Sequence, residues 1–479
     1  MDTLIIQSYC MGRVMETSGD IALQFKDKGK NVGYFFIDVN DPFAPMPFGV
    51  WPFHAKKSRK VKPFKKILED FNIHVIEDVE QKTTENEIFN LLERSNFKSL
   101  EEVEHFIYDS MPLGLGVLTE LAGLSKDAYP DVVLYKDIIK KGLLASILAY
   151  ESCLKVLRKY NPEEIIVYNG RFAIPQATRC AAKRCNIEVR SYEFFSNPTR
   201  FFLFEKTQFN IQSLIKMITG CWEAEGSDRE AQAHHFFFRQ RNNKEFNGYL
   251  LNQKNNDLPE KKKRTRVTFC SSSDDEFVYL YDSEIGHSSI FASQREAIQY
   301  LIEWVNKLED VELVIRVHPF VSKKSLRDQL FWNNLSGKNT TLITSDSSVD
   351  TYALIESSDL ILTFGSMTGI EATYLGRPSV SLCCSPYSGW GCVYEPKSLG
   401  ELSSLLINIP KALPQERCLP FGYFLKCSGN YEHQYYSPND GQFCGVKLSV
   451  EMQLIQIIKQ SLLGRSVKEL SATFRNKFA

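Results

Sequence analysis

The sequence predicts an α/β protein made of two Rossmann-like halves, and three observations predict it. Short apolar runs alternate with stretches of helical period in both halves of the chain. The alternation breaks once, at the polar, Lys-rich stretch 252–266 (NQKNNDLPEKKKRTR), which has no apolar face to bury and reads as a linker. At 479 residues the chain is too long for one ordinary core. The expected organisation is an N-terminal domain over 1–255, a linker at 256–265 and a C-terminal domain over 266–420. Closing helices over 421–479 pack back on the N-terminal domain, and a cleft separates two facing domains.

Taken in order, Thr3–Tyr9 and Asn31–Asp38 read as strands joined by a helix over Gly19–Lys28, a β-α-β opening. The Pro-, aromatic- and Lys-rich stretch 41–64 reads as a long surface loop. Its cluster Lys56, Lys57, Arg59, Lys60 is either a solvated face or a contact for an anionic acceptor or membrane surface. Ile73–Glu77 is a short strand and Tyr135–Lys159 a long amphipathic helix. Ile165–Tyr168 is a buried strand, Ile174–Cys185 a helix and Ile187–Glu193 the next strand. In the second half, strands are expected at Val267–Cys270, Val311–Val317, Thr341–Ile343, Leu360–Phe364 and Ser379–Cys383. Helices at Ser293–Leu308, Val349–Ser357 and Thr368–Leu375 lie between them, and Leu448–Leu463 forms a last amphipathic helix.

The composition is that of a globular protein: 43% hydrophobic, 24% charged, net charge −1. That balance excludes a general nucleic-acid binder. No apolar run of 18 residues exists and no basic-then-apolar leader opens the chain, so a cytoplasmic protein is expected, with peripheral contact at the inner membrane as an option. The 12 cysteines include no C-x-x-C pair, which leaves no basis for a zinc ribbon or a thioredoxin-type site; no metal site is expected.

In open α/β sheets ligands bind beyond the carboxyl ends of the strands. Four strand ends of the second half are polar. Ser271, Ser272 and Ser273 bring hydroxyls and turn amides, and Arg316 brings charge unless it pairs with a core carboxylate. His318, before Pro319, can donate to an oxyanion or shuttle a proton, or serve structure alone. Gly365, Ser366, Thr368 and Gly369 form a small-residue turn at a helix start, suited to phosphate. Glu371 has two readings: partner of Thr368 in a capping box, or ligand of a ribose hydroxyl pair. Neither a P-loop nor a dinucleotide fingerprint is present.

The runs FCSSSDDEF (269–277), RVHP (316–319) and LTFGSMTGIEA (362–372) resemble the donor-domain motifs of bacterial capsule and O-antigen glycosyltransferases of GT-B fold. The His-Pro pair is similar to that of β-Kdo transferases and sialyltransferases that use CMP-sugars. Asn169-Gly170-Arg171 resembles a feature of the acceptor-side domain. The resemblance covers roughly residues 105–450 and is strongest over 266–383.

The resemblance implies a glycosyltransferase of surface polysaccharide or lipopolysaccharide biosynthesis. His318 and the Ser366–Thr368 turn would hold the donor phosphate, with Glu371 near the ribose and no cofactor or metal required. The donor would be a CMP-sugar such as CMP-Kdo, with UDP- and GDP-sugars as alternatives, and the acceptor an oligosaccharide or lipid-linked glycan. The proton acceptor should come from the first half: Glu193 is the first candidate, then Asp38 and Asp109. A nucleotide-sugar epimerase of the same architecture and a catalytically silent partner of an assembly complex are the alternatives.

Overall fold

A computed structural model describes residues 1–448 except 10–12, 40–41, 44–60, 78–81, 195–196, 225–227, 243–247, 249–252, 255–257 and 428. The Lys56–Lys60 cluster and the expected helix over 448–463, beyond Leu448 itself, lie outside the described residues. The chain forms two compact units. The first comprises residues 1–124 and 129–207 together with the chain from 428 on; the second comprises 125–128 and 208–427.

The first unit opens with strands β1 (Thr3–Gln7), β2 (Val32–Phe36) and β3 (His74–Ile76), then the small hairpin β4 (Ile107–Tyr108) and β5 (Met111–Pro112). Strands β6 (Glu164–Tyr168), β7 (Glu188–Glu193) and β8 (Arg200–Phe204) follow. β1 and β2 are buried along their whole length, as continuous apolar runs must be when helices cover both faces of a parallel sheet. The parallel strands run in the order β3-β2-β1-β6-β7, and β8 is added antiparallel. This is a Rossmann half: the order reverses between β1 and β6, the place where open α/β sheets bind their ligands. The first helix is longer than expected, Val14–Asp27, and its residues from Val14 to Phe25 are all buried.

The second unit contains β9 (Thr265–Cys270), β10 (Val311–Arg316), β11 (Thr340–Ile343), β12 (Leu360–Thr363) and β13 (Ser379–Ser381). The order β11-β10-β9-β12-β13 is parallel throughout, so its switch point lies between β9 and β12. Val267, Phe269, Leu313, Ile315, Leu360 and Leu362 fill one face against the helix Gln294–Asn306.

The chain then returns to the first unit. β14 (Tyr431–Glu432) pairs antiparallel with β8, and β15 (Tyr436–Ser437), β16 (Gln442–Phe443) and β17 (Val446–Lys447) form a meander. Phe443 is fully buried against Phe64, with ring centroids 5.0 Å apart.

The divide therefore falls at 207/208 and 427/428, not around a linker at 256–265. The polar stretch is pinned to the second unit by its own side chains. Gln253 accepts from the Thr351 amide at 2.8 Å, and Lys254 bridges to Val349. Arg266 is 2% exposed; it pairs with Glu312 at 2.7 Å and donates to the Pro259 carbonyl at 2.9 Å. Polar composition reported solvent contact correctly for much of this stretch, but the buried Arg266–Glu312 pair ties its end into β9, the central strand of the second sheet. The helix Leu419–Cys427 also belongs to the second unit.

Among the described residues no helix is long and apolar enough to cross a membrane. The described cysteines are free thiols, Cys153, Cys180, Cys270, Cys383, Cys392 and Cys418 among the buried ones.

Candidate functional site

Each switch point gathers sequence-predicted residues. In the second unit, the exits of β9 and β10 are tied together: the Ser271 hydroxyl accepts from the His318 amide at 2.8 Å, and the Ser271 amide donates to the Arg316 carbonyl at 3.1 Å. The serine turn is consumed by this internal bonding. The Ser272 amide donates to the Gln294 side chain at 2.7 Å, and the Ser273 hydroxyl donates to Asp275 at 2.8 Å. Asp275 in turn pairs with Lys324, both side chains being at most 5% exposed. Where Ser271–Ser273 were expected to offer hydroxyls and amides to a ligand, all three are buried, and both Ser271 groups, the Ser272 amide and the Ser273 hydroxyl are engaged within the protein. Arg316 is corrected likewise. It is 3% exposed, and its guanidinium donates to the Thr344 carbonyl at 2.7 Å, toward the end of β11.

His318 remains suited to a ligand. Pro319 starts a 3₁₀ turn, and the His318 Nδ1 accepts from the Phe320 amide at 3.2 Å, which assigns the ring proton to Nε2. Burial, aided by the Arg316 charge, pulls its pKa down to about 4. The ring is therefore a neutral N–H donor at pH 7.

Beyond β12, Gly365 takes a left-handed φ of 77°, and the helix Thr368–Tyr374 follows. The Ser366 hydroxyl accepts from the Thr368 amide at 3.3 Å, and the Ser366 carbonyl accepts from the Gly369 amide at 3.1 Å. The amides of Ser366 and Met367 take no part in these bonds. Gly369 is required by packing: a Cβ there would meet the Tyr387 hydroxyl at 2.5 Å and the Thr363 hydroxyl at 2.9 Å.

Glu371 forms no capping box, since the helix has no side-chain cap. Its carboxyl accepts from the Tyr352 hydroxyl at 3.1 Å, and burial pushes its pKa up to about 7. Glu371 and Tyr352 line a cavity of about 350 Å³ with Phe237, Phe238, Arg241 and Asn242. That volume lies within the range of small-ligand pockets, roughly 300–1,000 Å³. The helix Arg229–Asn242 was legible in the sequence, but its place beside Glu371 was not.

In the first unit, the end of β6 turns through Asn169 (φ 57°) and Gly170 (φ 86°). A side chain at Gly170 would be strained by that φ and would touch Arg179 at 3.0 Å. The turn delivers the Asn169 amide to the Glu193 carboxylate at the end of β7, a contact between two residues the sequence had singled out separately. The other Glu193 oxygen accepts from the Phe194 amide at 3.0 Å. Burial raises the Glu193 pKa above the ordinary carboxylate value, opposed by the Phe194 amide, Asn169 and Arg171. Arg13, before the first helix, lies 4.0 Å over the Phe194 ring.

Two of the candidates do not join this group. Asp38 follows β2, two strands from β6. Asp109 sits in the β4–β5 turn, where it accepts from Tyr150 at 2.6 Å and faces Arg184 at 3.5 Å. Arg184 ends the helix that starts beyond β6, so Asp109 belongs to the opposite edge of the sheet. Its lowered pKa comes first from the Tyr150 hydrogen bond. Sequence reasoning missed Arg13 and Glu120. The Glu120 carboxylate accepts from Tyr9 at 3.1 Å and from the Ala173 amide at 3.2 Å, capping the helix beyond the Asn-Gly-Arg turn.

Two Rossmann-like units in one chain, each with polar residues gathered at its switch point, give the GT-B fold. Residues 239–399 match the family described as capsule polysaccharide biosynthesis protein, spanning the 266–383 stretch where the motif resemblance is strongest. Comparison with curated proteins finds no match. Among solved structures the chain is similar to the β-Kdo 2,4 transferase of Thermosulfurimonas dismutans KpsC: 13% identity, TM-score 0.37, covering 55% of this chain and 79% of that one. It is similar to the β-Kdo 2,7 transferase of the same protein at 13% identity and TM-score 0.34, over 57% and 80%. A UDP-GlcNAc 2-epimerase from Neisseria meningitidis aligns at 11% identity and TM-score 0.22, over 95% and 100%.

Proposed function

We propose that the protein is a glycosyltransferase of capsule polysaccharide biosynthesis, moving a sugar from a nucleotide-activated donor to a glycan acceptor. The observation that carries this reading is that the capsule-family match at 239–399 falls on the unit whose switch point holds His318 and the Ser366–Gly369 turn. The second unit binds the donor and the first unit the acceptor.

When the bond from the anomeric carbon to the donor phosphate breaks, negative charge grows on the phosphate oxygen. The His318 Nε2–H and the turn amides offset that charge without an obligatory metal. Glu371, beside Tyr352, bonds the ribose hydroxyls. The acceptor hydroxyl forms the new bond to the anomeric carbon and gives its proton to Glu193, whose raised pKa suits a general base. A CMP-sugar is the favoured donor. The reading also places the protein in the cytoplasm, with peripheral contact at the inner membrane.

A thermal-shift screen against CMP, UDP, GDP and ADP tests the reading. A nucleotide held by the native state alone stabilises it by about 2.7 kcal/mol at a hundredfold excess over Kd. One nucleotide should raise the melting temperature above the other three, and its sugar conjugate should support transfer to a glycan. No response to any of the four would overturn the donor assignment. Conversion of a free nucleotide sugar into its 2-epimer would select the epimerase instead.

A further inference from the structure

The return segment that closes the first unit builds a second cavity, of about 470 Å³, that the proposed chemistry does not use. Thr199, His433, Gln434, Tyr436, Asn439 and Gln442 are among the residues that line it, and no Asp, Glu, Lys or Arg does so among the described residues. A wall of amides, hydroxyls and aromatic rings, with the His433 ring turned onto Asp20, brings no fixed positive charge to a phosphate or a carboxylate. It matches a polyhydroxylated neutral ligand, whose hydroxyls both donate and accept and whose C–H faces pack on rings.

The cavity is held in shape by one buried carboxylate. Asp20, fully buried on the first helix, accepts from the amides of Gln434 (3.0 Å), Tyr435 (3.2 Å) and Tyr436 (2.9 Å) and from the His433 ring at 3.1 Å. Those bonds use the backbone at 434–436 and leave the Gln434 amide side chain, with those of Asn439 and Gln442, outside any hydrogen bond among the described residues. One wall of the cavity also lies near the candidate acceptor site. Tyr436, one of its walls, and Glu193 are both charge neighbours of Arg13, which stacks on Phe194.

We propose that this cavity is an acceptor subsite for neutral pyranose units of the glycan, one or more residues away from the reacting hydroxyl. It rests on the reading of the first unit as the acceptor side.

The test is to apply the full chain to an array of bacterial surface oligosaccharides with neutral and acidic members, beside the double variant Asn439→Ala/Gln442→Ala. Gln434→Ala serves as an independent variant, since its backbone amide stays on Asp20. Neutral oligosaccharides should bind, and the double variant should bind them roughly tenfold more weakly, as for two lost hydrogen bonds. The melting temperature and the nucleotide response should stay unchanged. Equal binding by wild type and both variants, binding of acidic members alone, or no glycan binding would overturn the subsite. A subsite that survives while all four nucleotides leave the melting temperature unmoved would show that the transferase reading has failed and the glycan site has not.

Discussion

The two switch points share a topology and differ in chemistry. At the second unit's switch point these groups are turned inward: Arg316 onto the Thr344 carbonyl, Ser271 onto the His318 amide, the Ser272 amide onto Gln294 and the Ser273 hydroxyl onto Asp275. With them stand neutral donors, a His318 ring uncharged at pH 7 and the amides of a turn, and the helix after that turn carries Glu371, whose pKa burial raises. At the first unit's crevice a carboxylate, Glu193, is gripped by Asn169 with Arg13 and Arg171 near it. The difference teaches that the sheet order fixes where a crevice opens, while the residues one or two positions past each strand decide whether it receives an anion or a proton.

The largest expected effect sharpens the contrast in how the two crevices are supported. Lys324→Met leaves the Asp275 carboxylate buried without its cation, with the Ser273 hydroxyl still on it, and should destabilise the protein by roughly 3–5 kcal/mol. Chemical denaturation measures it; a loss below about 1 kcal/mol would show that the serine turn does not depend on the ion pair. Next comes the proton acceptor. Glu193→Gln should lower transfer by about 10²–10⁴-fold while nucleotide affinity stays within error. The wild-type rate should show an acidic limb above the ordinary Glu value, because the raised pKa keeps the base protonated at higher pH. Loss of nucleotide binding in this variant would break the division of labour between the units.

His318→Ala should lower turnover by about 10²-fold with the fold intact. Its low pKa means that no His318 limb should be seen between pH 5 and 8. The smallest effect is at Glu371. Its folded pKa of about 7 lies above the unfolded value of 4.5, so its contribution to stability is fully present below pH 4.5 and is lost as pH rises through 7. Glu371→Gln should therefore melt higher than wild type at pH 8 and close to it at pH 5. If Glu371 holds the ribose, nucleotide affinity falls in the same variant; unchanged affinity would confine it to the Tyr352 contact.

Much of the architecture was legible. Strands such as Ile165–Tyr168 and Leu360–Thr363 are apolar runs of strand length between turn residues, and local composition suffices to mark them. The short strands β14 to β17 were not legible, because each is two residues long, and β14 also depends on β8, far earlier in the chain. The sequence also could not tell which polar strand-end residues face a ligand.

By itself, then, the sequence determined the α/β alternation, the polar strand ends and the individual candidates His318, Glu193 and Asn169, because periodicity and residue type act over a few positions. Tertiary structure alone decided that Asn169 grips Glu193, that Arg316 and Ser271–Ser273 are engaged internally, that Asp109 lies at the far edge, and that Arg266 pins the polar stretch to the second unit. Apart from the local Ser273–Asp275 bond, each of those facts is a hydrogen bond or ion pair between residues distant in sequence, or the burial that such a pairing makes tolerable. Such pairings are set by which strands become neighbours, and a buried polar group takes whichever partner the packed sheet brings to it.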